Sequence, residues 1–358
     1  MDQNLRSLIT LSVCSWDTAS LEIGCHATAL TEARAHAGAA IIQTCQRIEA
    51  VGLEPCRRGC PGTREGEAAF RYLVRLAAGL ESIVLGESEI VGQVRDAART
   101  ATPELGALLG RSIAVARAFR REHAFRADSG HLYDLAVSAA GQSPERVIVV
   151  GSGPTARCLV RRVRSGRVRS VVVASRGRPQ WISDLGVPWL TLDELDRAKP
   201  ANMAIVCLGG DAPELAAAML PASLVVDVST PRRTAGEVVT LRHLRDHAFA
   251  REAEYRERLL AQLDAQSDRA ITDWSLDGTS PVGRLRKSAE LVRREEVGRI
   301  ARRHPDIDAD TLEAITRRLL NRLLHAPSMR MRQLGPDDAS LVADLFEHEP
   351  GRTRRWPE

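Results

Sequence analysis

A cysteine followed closely by an arginine is the first feature that could do chemistry. Cys45 follows the short apolar run 39–42 and lies two positions before Arg47. A thiol acts as a nucleophile only as its thiolate, so it needs a cation or aligned backbone amides that lower its pKa. Arg47 could supply that charge. A small buried cysteine is the commoner arrangement, so the local pattern leaves both interpretations open.

A glycine-rich turn has the spacing of a dinucleotide-binding motif. It follows the β-branched run 147–150 and precedes a helical pattern, and its residues are Gly151, Ser152, Gly153, Pro154, Thr155 and Ala156. The first glycine permits a tight turn, the second lets the backbone approach a pyrophosphate, and the small third residue keeps the helix close to the strand. We predict a nucleotide site here. The alternative is a tight strand-to-helix turn without a ligand.

The end of the next predicted strand indicates which nucleotide binds. NAD sites usually carry an acid there for the ribose hydroxyls, whereas NADP sites carry a cation for the 2′-phosphate. This chain has Ser175 and Arg176, with no acid at that point. The pattern favours NADPH, with both residues at its phosphate, while Arg178 is equally consistent with a solvated loop.

Cysteine spacing gives little support for a metal site. Cys56 and Cys60 lie close together, with Cys45 nearby, but the sequence lacks the second pair that zinc sites usually have. We therefore expect no metal. The 7 cysteines, an odd number, are expected to be thiols rather than a disulfide framework.

The elements that must position these residues divide the chain of 358 residues into parts. Residues 1–142 combine a short apolar run with a helix that carries Phe70, Leu73 and Leu76 on one face, which indicates a small α+β domain. Residues 143–240 hold four apolar runs separated by helical or loop sequence. That alternation predicts a doubly wound parallel sheet of the Rossmann type, so the fold class is α/β.

The C-terminal part is predicted to be helical. Residues 237–277 contain neither Gly nor Pro, which indicates one long helix. A later helix, with Asp308 as its N-cap, repeats apolar residues along one stripe. The stripe consists of Leu312, Ile315, Leu319 and Leu323. It predicts a homodimer through residues 241–340, with 341–358 as a tail; packing on the chain's own first domain is the alternative.

Composition excludes several classes of protein. Hydrophobic residues make up 44% of the chain, which is too many for a disordered tail protein. The net charge of +4 is too small to indicate nucleic acid by itself. No apolar run approaches the roughly 18 residues that span a membrane, and no signal pattern opens the chain, so we expect a cytoplasmic protein.

Three segments resemble the glutamyl-tRNA reductase family. Residues 44–50, Thr-Cys-Gln-Arg-Ile-Glu-Ala, are similar to its T-C-N-R-x-E signature, and residues 79–94 to its G-L-D-S-M-V-L-G-E-P-Q-I-L-G-Q-V block. Residues 317–327 resemble the R-R-L-V-N-K-L-L-H-A-P segment of its dimerisation domain. The matches occur in order around the predicted dinucleotide fold, so the resemblance spans nearly the whole chain.

The resemblance implies an activity and a site. In that family a cysteine attacks the ester that joins the amino acid to tRNA, and NADPH reduces the thioester to an α-amino aldehyde, glutamate-1-semialdehyde. Cys45 would be the nucleophile, and Arg47 would suit a substrate carboxylate. The pocket would comprise Thr44, Gln46, Arg47, Ser82, Glu87, Ser88, Glu89 and Gln93. The family further implies a V-shaped homodimer, porphyrin biosynthesis and a downstream aminotransferase as a partner.

Several positions depart from the family pattern and bear on the substrate. Gln46 replaces an asparagine, Ser88 and Glu89 replace Pro-Gln, and residues 15–19 differ from the family's S-H-K-T-A. Tyr72 stands where the family carries a functional histidine. A phenol has a pKa of about 10, so we expect Tyr72 to donate to a developing oxyanion rather than act as a base. Glu89 adds negative charge where an acidic substrate would bind.

Three functions stay open on the sequence. The first is an NADPH-dependent glutamyl-tRNA reductase with an altered pocket. The second is a reductase of another aminoacyl-tRNA, with a small or neutral amino acid such as glycine, in a specialised pathway. The third is a catalytically silent dimer that binds tRNA or haem, which the retention of Cys45, Arg47 and the glycine turn disfavours.

Overall fold

The structure, a computed structural model, describes residues 10–18, 23–56, 58, 60, 62–166, 168–209, 212–276, 281–304, 307–331, 334 and 336–346. The chain divides into two compact units, Arg6–Asp268 and the segment from Arg269 onward. The first unit holds both predicted N-terminal domains, 1–142 and 143–240, together with most of the long helix.

A four-stranded antiparallel sheet forms the core of the N-terminal domain. Its strands are β1 (Ser12–Asp17), β2 (Ala40–Gln43), β3 (Arg47–Gly52) and β4 (Arg64–Glu65), in the order β2-β3-β1-β4. The reversal between β2 and β3 carries Thr44 and Cys45. The apolar pattern predicts only β2, because polar residues such as Glu49 interrupt the alternation in β1 and β3.

Helices cover this sheet and complete the domain. They are α1 (Ile23–Arg34), α2 (Gly66–Ala78), α3 (Glu89–Thr100), α4 (Pro103–Glu122) and α5 (Leu132–Ala140). The predicted face of α2 is confirmed, since Phe70, Leu73 and Leu76 are fully buried. A short 3-10 turn, Ser129–His131, leads into α5.

The second domain is built on a parallel sheet of six strands; the four apolar runs predict its four longer strands, and two short edge strands are additional. The strands are β5 (Arg146–Val150), β6 (Ser170–Ala174), β7 (Trp189–Leu190), β8 (Ala201–Val206), β10 (Ala222–Asp227) and β12 (Val239–Thr240), in the order β12-β10-β8-β5-β6-β7. A small pair, β9 (Leu215–Ala216) and β11 (Thr234–Ala235), lies apart from it. Helices α6 (Pro154–Ser165) and α7 (Gln180–Asp184) lie between strands. The strand order reverses between β5 and β8, and ligands bind at such a switch point.

The remaining helices also follow the prediction, apart from a short last helix that the sequence does not predict. The region without Gly or Pro forms α8 (Leu241–Leu276), and α9 (Pro281–Arg303), α10 (Ala309–Met331) and α11 (Pro336–Asp344) follow. Asp308 caps α10, because its carboxylate accepts a 2.8 Å hydrogen bond from the Thr311 amide. Among the described residues, no helix is both long and apolar enough to cross a bilayer.

One side of α10 is apolar and open to solvent. Ile315, Leu319 and Leu323 are each more than half exposed, at 60%, 57% and 63%. These residues follow the predicted stripe, so the stripe itself is present. Leaving three large aliphatic side chains in water is unfavourable, which is why the surface calls for a partner.

Candidate active site

The main cavity lies at the carboxyl edge of the parallel sheet and has a volume of about 610 Å³. Residues from both domains of the first unit line it, and Cys45 and the glycine turn are among them. The lining residues are Gln43, Thr44, Cys45, Gln93, Gly151, Ser152, Gly153, Pro154, Thr155, Ser175, Arg176, Cys207, Leu208, Gly209, Ala212, Val228, Ser229 and Thr230. The sequence predicts the thiol and the nucleotide turn separately, and the fold brings them to one cavity.

Local hydrogen bonds fix the turn that presents Cys45. The Thr44 hydroxyl accepts bonds from the amides of Gln46 and Arg47, at 3.1 and 3.0 Å. The Thr44 amide donates to the Arg47 carbonyl at 2.9 Å. On the far side, the Thr230 hydroxyl donates to the Cys45 carbonyl at 2.5 Å. Cys45 is therefore held on a closed turn that is tied to the parallel-sheet domain.

The environment of Cys45 favours the neutral thiol. Burial and the nearby Glu87 carboxylate raise its pKa to about 12, against weaker lowering by a hydrogen bond from Gln46 and by the charge of Arg47. Arg47 therefore does not by itself produce the thiolate, as the sequence suggests it could. Proton removal must accompany attack on a substrate.

The glycine turn has the space that a bound nucleotide needs. Gly151 has φ +133°, and a Cβ there would lie 2.6 Å from the Cys207 carbonyl oxygen, so only glycine fits. A Cβ on Gly153 would meet nothing within 4 Å, which leaves its backbone open toward the cavity. Ala156 is fully buried at the start of α6. These features fit a pyrophosphate at the amino end of α6.

The two residues predicted to contact the 2′-phosphate differ in whether their side chains already have partners. The Ser175 hydroxyl is buried, donates to the Gly177 carbonyl at 2.7 Å and accepts from the Trp189 indole at 3.0 Å. Arg176 is exposed at the cavity rim and, among the described residues, has no ion-pair partner. Arg176 is thus the available cation beside the glycine turn.

Arg47 and Tyr72 line a second, smaller cavity of about 330 Å³ rather than the one that contains Cys45. Arg47 donates to the Tyr72 hydroxyl at 3.0 Å and to the Glu81 carbonyl at 2.5 Å, and its guanidinium lies 3.7 Å from the Glu81 carboxylate. Tyr72 in turn donates to Glu49. Burial and the Glu49 charge raise the pKa of Tyr72 well above its ordinary value, so it cannot act as a base near neutral pH.

Glu49 is a buried carboxyl at the centre of this network. Its side chain accepts hydrogen bonds from Ser15 and Tyr72, and burial raises its pKa to about 7 despite these donors. Arg64 lies with its guanidinium carbon 4.0 Å from the Tyr72 ring centre. The smaller cavity is lined by Arg47, Arg64 and Arg245, and it therefore combines three arginines with a protonatable acid.

The remaining predicted pocket residues lie between α2 and α3 or, in the case of Glu89 and Gln93, on the first two turns of α3. Ser82 and Glu87 are buried, Ser88 and Glu89 are exposed, and Gln93 reaches the main cavity. Burial, followed by the nearby Glu89 charge, raises the pKa of Glu87 to about 7. Within the described chain, the buried Gln93 Oε1 has no hydrogen-bond partner, whereas the Ser82 hydroxyl interacts with the Glu87 carboxyl and lowers its pKa. An orphaned polar atom is costly unless a ligand satisfies it.

Two arginines that sequence reasoning missed hold this segment. Arg256, on α8 and 4% exposed, donates to the carbonyls of Leu80, Ser82 and Ile83 at 3.0, 2.9 and 2.8 Å. Arg120, on α4, donates to the carbonyls of Ala78 and Glu87 at 2.9 Å each. Their helical spacing resembles that of solvated arginines, so the sequence carried no signal for this role.

Other residues of the main cavity were also missed. Asp227, at the end of β10, accepts bonds from the amides of Ser229 and Arg233, both at 2.8 Å, and so shapes the loop that carries Thr230. Cys207 directly follows β8 and lines the main cavity beside Gly151, and burial raises its pKa to about 12. Their position directly after predicted parallel strands was the available signal in the sequence, because ligands bind at the carboxyl ends of such strands.

The cysteine arrangement corrects one argument made from the sequence. Cys56 and Cys60 do have further ligand-type neighbours, namely Cys14 from β1 and His36 from the end of α1. Cys45 is not among them. The expectation of no metal stays a prediction, but the argument for it considered only cysteine pairs along the chain and not residues that a sheet brings together.

Comparison with known proteins gives a consistent result. The model of the glutamyl-tRNA reductase N-terminal domain matches residues 10–123, and that of the glutamyl-tRNA reductase dimerisation domain matches residues 275–348. Together they match more than half of the chain.

Individual relatives carry the same name. The glutamyl-tRNA reductase of Synechococcus sp. (strain RCC307) is 27% identical over 335 residues, 78% of this chain and 76% of the relative. That of Chromohalobacter salexigens is 27% identical over 332 residues, 80% and 77% of the two chains. A solved glutamyl-tRNA reductase from Methanopyrus kandleri is 21% identical, with a TM-score of 0.38 over 94% of this chain and 98% of that one.

Proposed function

Because the chain belongs to the glutamyl-tRNA reductase family, we propose that it reduces glutamyl-tRNA to glutamate-1-semialdehyde with NADPH. The observation that carries this proposal is the shared cavity of Cys45 and the glycine turn. A reductase that forms a thioester needs its nucleophile and its nicotinamide within one enclosed site.

The cofactor is assigned to the turn at Gly151 and to the rim residue Arg176. The open backbone at Gly153 and the amides at the start of α6 would hold the pyrophosphate, and Arg176 would pair with the 2′-phosphate. Ser175, which already bonds within its loop, would contribute its remaining acceptor capacity. When bound, NADPH supplies the hydride that reduces the acyl carbon.

The chain's own chemistry is acyl transfer at Cys45. The sulfur attacks the ester carbonyl, the S–C bond forms, and the ester C–O bond breaks with release of the tRNA hydroxyl. After reduction the C–S bond breaks, the thiol is regenerated, and the aldehyde leaves. The closed turn made by Thr44, together with the hydrogen bond from Thr230, fixes the backbone that carries the Cys45 side chain.

Glu87 is the proposed acceptor of the thiol proton. Among the neighbouring charges, the Glu87 carboxylate acts most strongly on the Cys45 thiol, and its own pKa of about 7 makes it ready to exchange a proton near neutrality. Since the thiol pKa is far higher, the thiolate does not accumulate. The proton leaves while the S–C bond forms, which is general-base catalysis.

The amino-acid pocket is assigned to Gln93, which shares the main cavity with Cys45, and to the arginine network. Gln93 Oε1 would accept from the substrate ammonium, since it is buried without a partner in the described chain. Arg47 would bind the side-chain carboxylate of the substrate, which would replace the Glu81 carboxylate as its ion-pair partner. Because Arg47 is already bonded and Glu89 adds charge, a neutral amino acid is the second candidate substrate.

We further propose that the protein is a homodimer through its C-terminal unit. The exposed stripe on α10 lies inside the segment that matches the dimerisation-domain model. A second copy would cover Ile315, Leu319 and Leu323 by symmetry.

The test is an assay with NADPH and a panel of charged tRNAs that includes glutamyl- and glycyl-tRNA. Oxidation of NADPH with trapping of an amino aldehyde is expected for glutamyl-tRNA. Cys45→Ser should abolish turnover while NADPH binding persists, and Cys25→Ser, which changes an exposed thiol, should leave turnover intact. Absence of oxidation with every aminoacyl-tRNA would exclude reductase activity, and activity with glycyl-tRNA alone would change the substrate.

A further inference from the structure

A cluster of four metal-binding side chains lies beside strand β1 of the N-terminal sheet. Cys14 on β1 is buried, and His36, Cys56 and Cys60 are partly buried around it. One ligand atom from each residue lies within 4.8 Å of all the others. Ser15 and Trp16, the next residues along β1, line the smaller cavity, so the cluster and that cavity share this strand.

The distances within the cluster suit a tetrahedral metal. His36 Nε2 lies 3.3 Å from Cys60 Sγ and 3.8 Å from Cys56 Sγ. Zinc, with bonds of about 2.3 Å to sulfur and about 2.0 Å to nitrogen, separates its tetrahedral ligands by about 3.5–3.8 Å. The His36–cysteine distances bracket that range.

The other nitrogen of His36 supplies an independent argument. His36 Nδ1 lies 3.1 Å from the Glu32 carbonyl oxygen and 3.2 Å from that of Ala33. Carbonyl oxygens only accept, so Nδ1 carries the hydrogen and Nε2 presents its lone pair to the cysteines. A metal-binding histidine is usually oriented in this way, through a backbone carbonyl on the nitrogen that does not bind the metal.

We propose that Cys14, His36, Cys56 and Cys60 bind one zinc ion. Three thiolates and one imidazole form a closed set with no position left for water, which is the pattern of a structural site. The three sulfurs favour zinc over the hard cations magnesium and calcium. The cluster does not include Cys45, so this metal takes no part in the proposed reduction and the inference stands apart from it.

The metal would fix the loop that closes the smaller cavity. Only three residues separate Cys60 from Arg64, and within that stretch the Thr63 hydroxyl donates to the Cys60 carbonyl at 2.9 Å. Arg64 donates to the Gly62 carbonyl at 2.8 Å and to the Ser15 hydroxyl at 3.3 Å. Zinc at Cys60 would thus hold Arg64 over the Tyr72 ring by joining β1, the end of α1 and this loop.

The test measures the zinc content of the full chain purified under reducing conditions with zinc supplied. About one zinc per chain is expected for a site with four protein ligands. Cys60→Ser and His36→Ala should lose most of it, whereas Cys25→Ser, a matched change at an exposed cysteine on α1, should retain it. Zinc that stays at full occupancy in both cluster variants, or is absent from the wild-type chain, would overturn the proposal.

A second measurement covers the case in which the cluster variants do not fold. X-ray absorption at the zinc edge of the wild-type protein should show three sulfur ligands and one nitrogen ligand. A shell of oxygen and nitrogen alone would contradict the site. A disulfide between any two of the three cysteines, found by mass spectrometry of the protein under those conditions, would contradict it equally.

Discussion

The hydroxyl of Thr230, after the last long strand of the parallel sheet, donates a 2.5 Å hydrogen bond to the carbonyl oxygen of Cys45. The two residues lie 185 positions apart in the chain. The bond joins the turn that presents the nucleophile to the loop that borders the nucleotide site. Under the proposed function, this bond helps to set the distance between the sulfur and the nicotinamide, together with the apolar packing of Cys45 and Ile83 on the core of the parallel-sheet domain.

Thr230→Val should lower kcat while NADPH binding is kept. Losing one hydrogen bond costs about 1 kcal/mol, and with the misplacement of the reacting atoms we expect a fall of about 10-fold. Thr100→Val, which removes an exposed hydroxyl at the end of α3, is the control and should be neutral. An unchanged kcat in Thr230→Val would show that the bond does not position Cys45.

Glu87 should give the activity a pH dependence near neutrality. The carboxyl must be ionised to accept a proton, and its pKa is about 7, so kcat/KM should rise as the pH increases through 7. Glu87→Gln should lower kcat/KM by about 100-fold and remove that rise. A wild-type profile that is flat between pH 6 and about 8, or a rise that persists in the variant, would contradict the assignment.

The same residue should affect stability with a defined sign. The pKa of Glu87 is raised in the folded chain from 4.5 to about 7, so its contribution to stability is full below 4.5 and declines as the pH rises through 7. Glu87→Gln should therefore be more stable than the wild type at high pH, by roughly 1–3 kcal/mol, with little difference at low pH. Denaturant unfolding below pH 4.5 and above pH 7 measures the free energy of unfolding of both proteins. The same difference between variant and wild type in both conditions would refute the assignment.

The two glycines of the turn should respond differently to alanine. Gly151→Ala introduces a Cβ 2.6 Å from the Cys207 carbonyl in a conformation with φ +133°, so we expect a loss of about 1–3 kcal/mol in stability. Gly153→Ala meets open space and should unfold like the wild type, yet bind NADPH about 10-fold more weakly. Thermal unfolding and cofactor titration separate the two effects. If Gly153→Ala binds NADPH as tightly as the wild type does, the pyrophosphate does not bind at this turn.

Arg176 should determine the preference for the phosphorylated cofactor. Arg176→Gln is expected to raise KM for NADPH by about 10-fold or more, because a charge-assisted contact is lost, while KM for NADH changes little. Arg178→Gln, at an exposed position two residues on, is the matched control and should keep the wild-type ratio of KM for NADPH to KM for NADH. If both variants change this KM ratio equally, general surface charge rather than a specific contact explains the preference.

The exposed stripe on α10 should control the oligomeric state. Leu319→Glu places a charge among Ile315 and Leu323 and should produce monomers in light scattering at concentrations where the wild type is dimeric. Arg318→Glu changes an exposed neighbour of Leu319 and should stay dimeric. A dimer in both variants would place the interface elsewhere on the chain.

The sequence predicts those parts of the fold whose side chains follow one period. The apolar runs identify β5, β6, β8 and β10, and the Gly- and Pro-free region identifies α8, because burial on both faces or regular helical spacing leaves a local signal. Strands β1 and β3 carry polar residues on the face of the smaller cavity, so their apolar period is broken. Those polar residues form the network around Glu49.

The candidate site residues that could be predicted also lie in continuous sequence motifs, and those that could not depend on long-range contacts. The turn at Gly151 and the motif around Cys45 are recognisable because they are continuous in sequence. Thr230, Arg256 and the His36 cluster act through contacts between residues 20 to 185 positions apart, and nothing in their local sequence marks them. Long-range hydrogen bonds of this kind are decided by topology and not by local pattern.

The raised pKa of Cys45 has a consequence for damage by oxidants. Peroxides and alkylating reagents attack the thiolate, and at neutral pH a thiol with a pKa of about 12 is almost entirely protonated. Cys45 therefore rests in a form that resists sulfenic acid formation. Under the proposed mechanism, its reactivity develops only when substrate and Glu87 act on it together, which would protect the residue between turnovers.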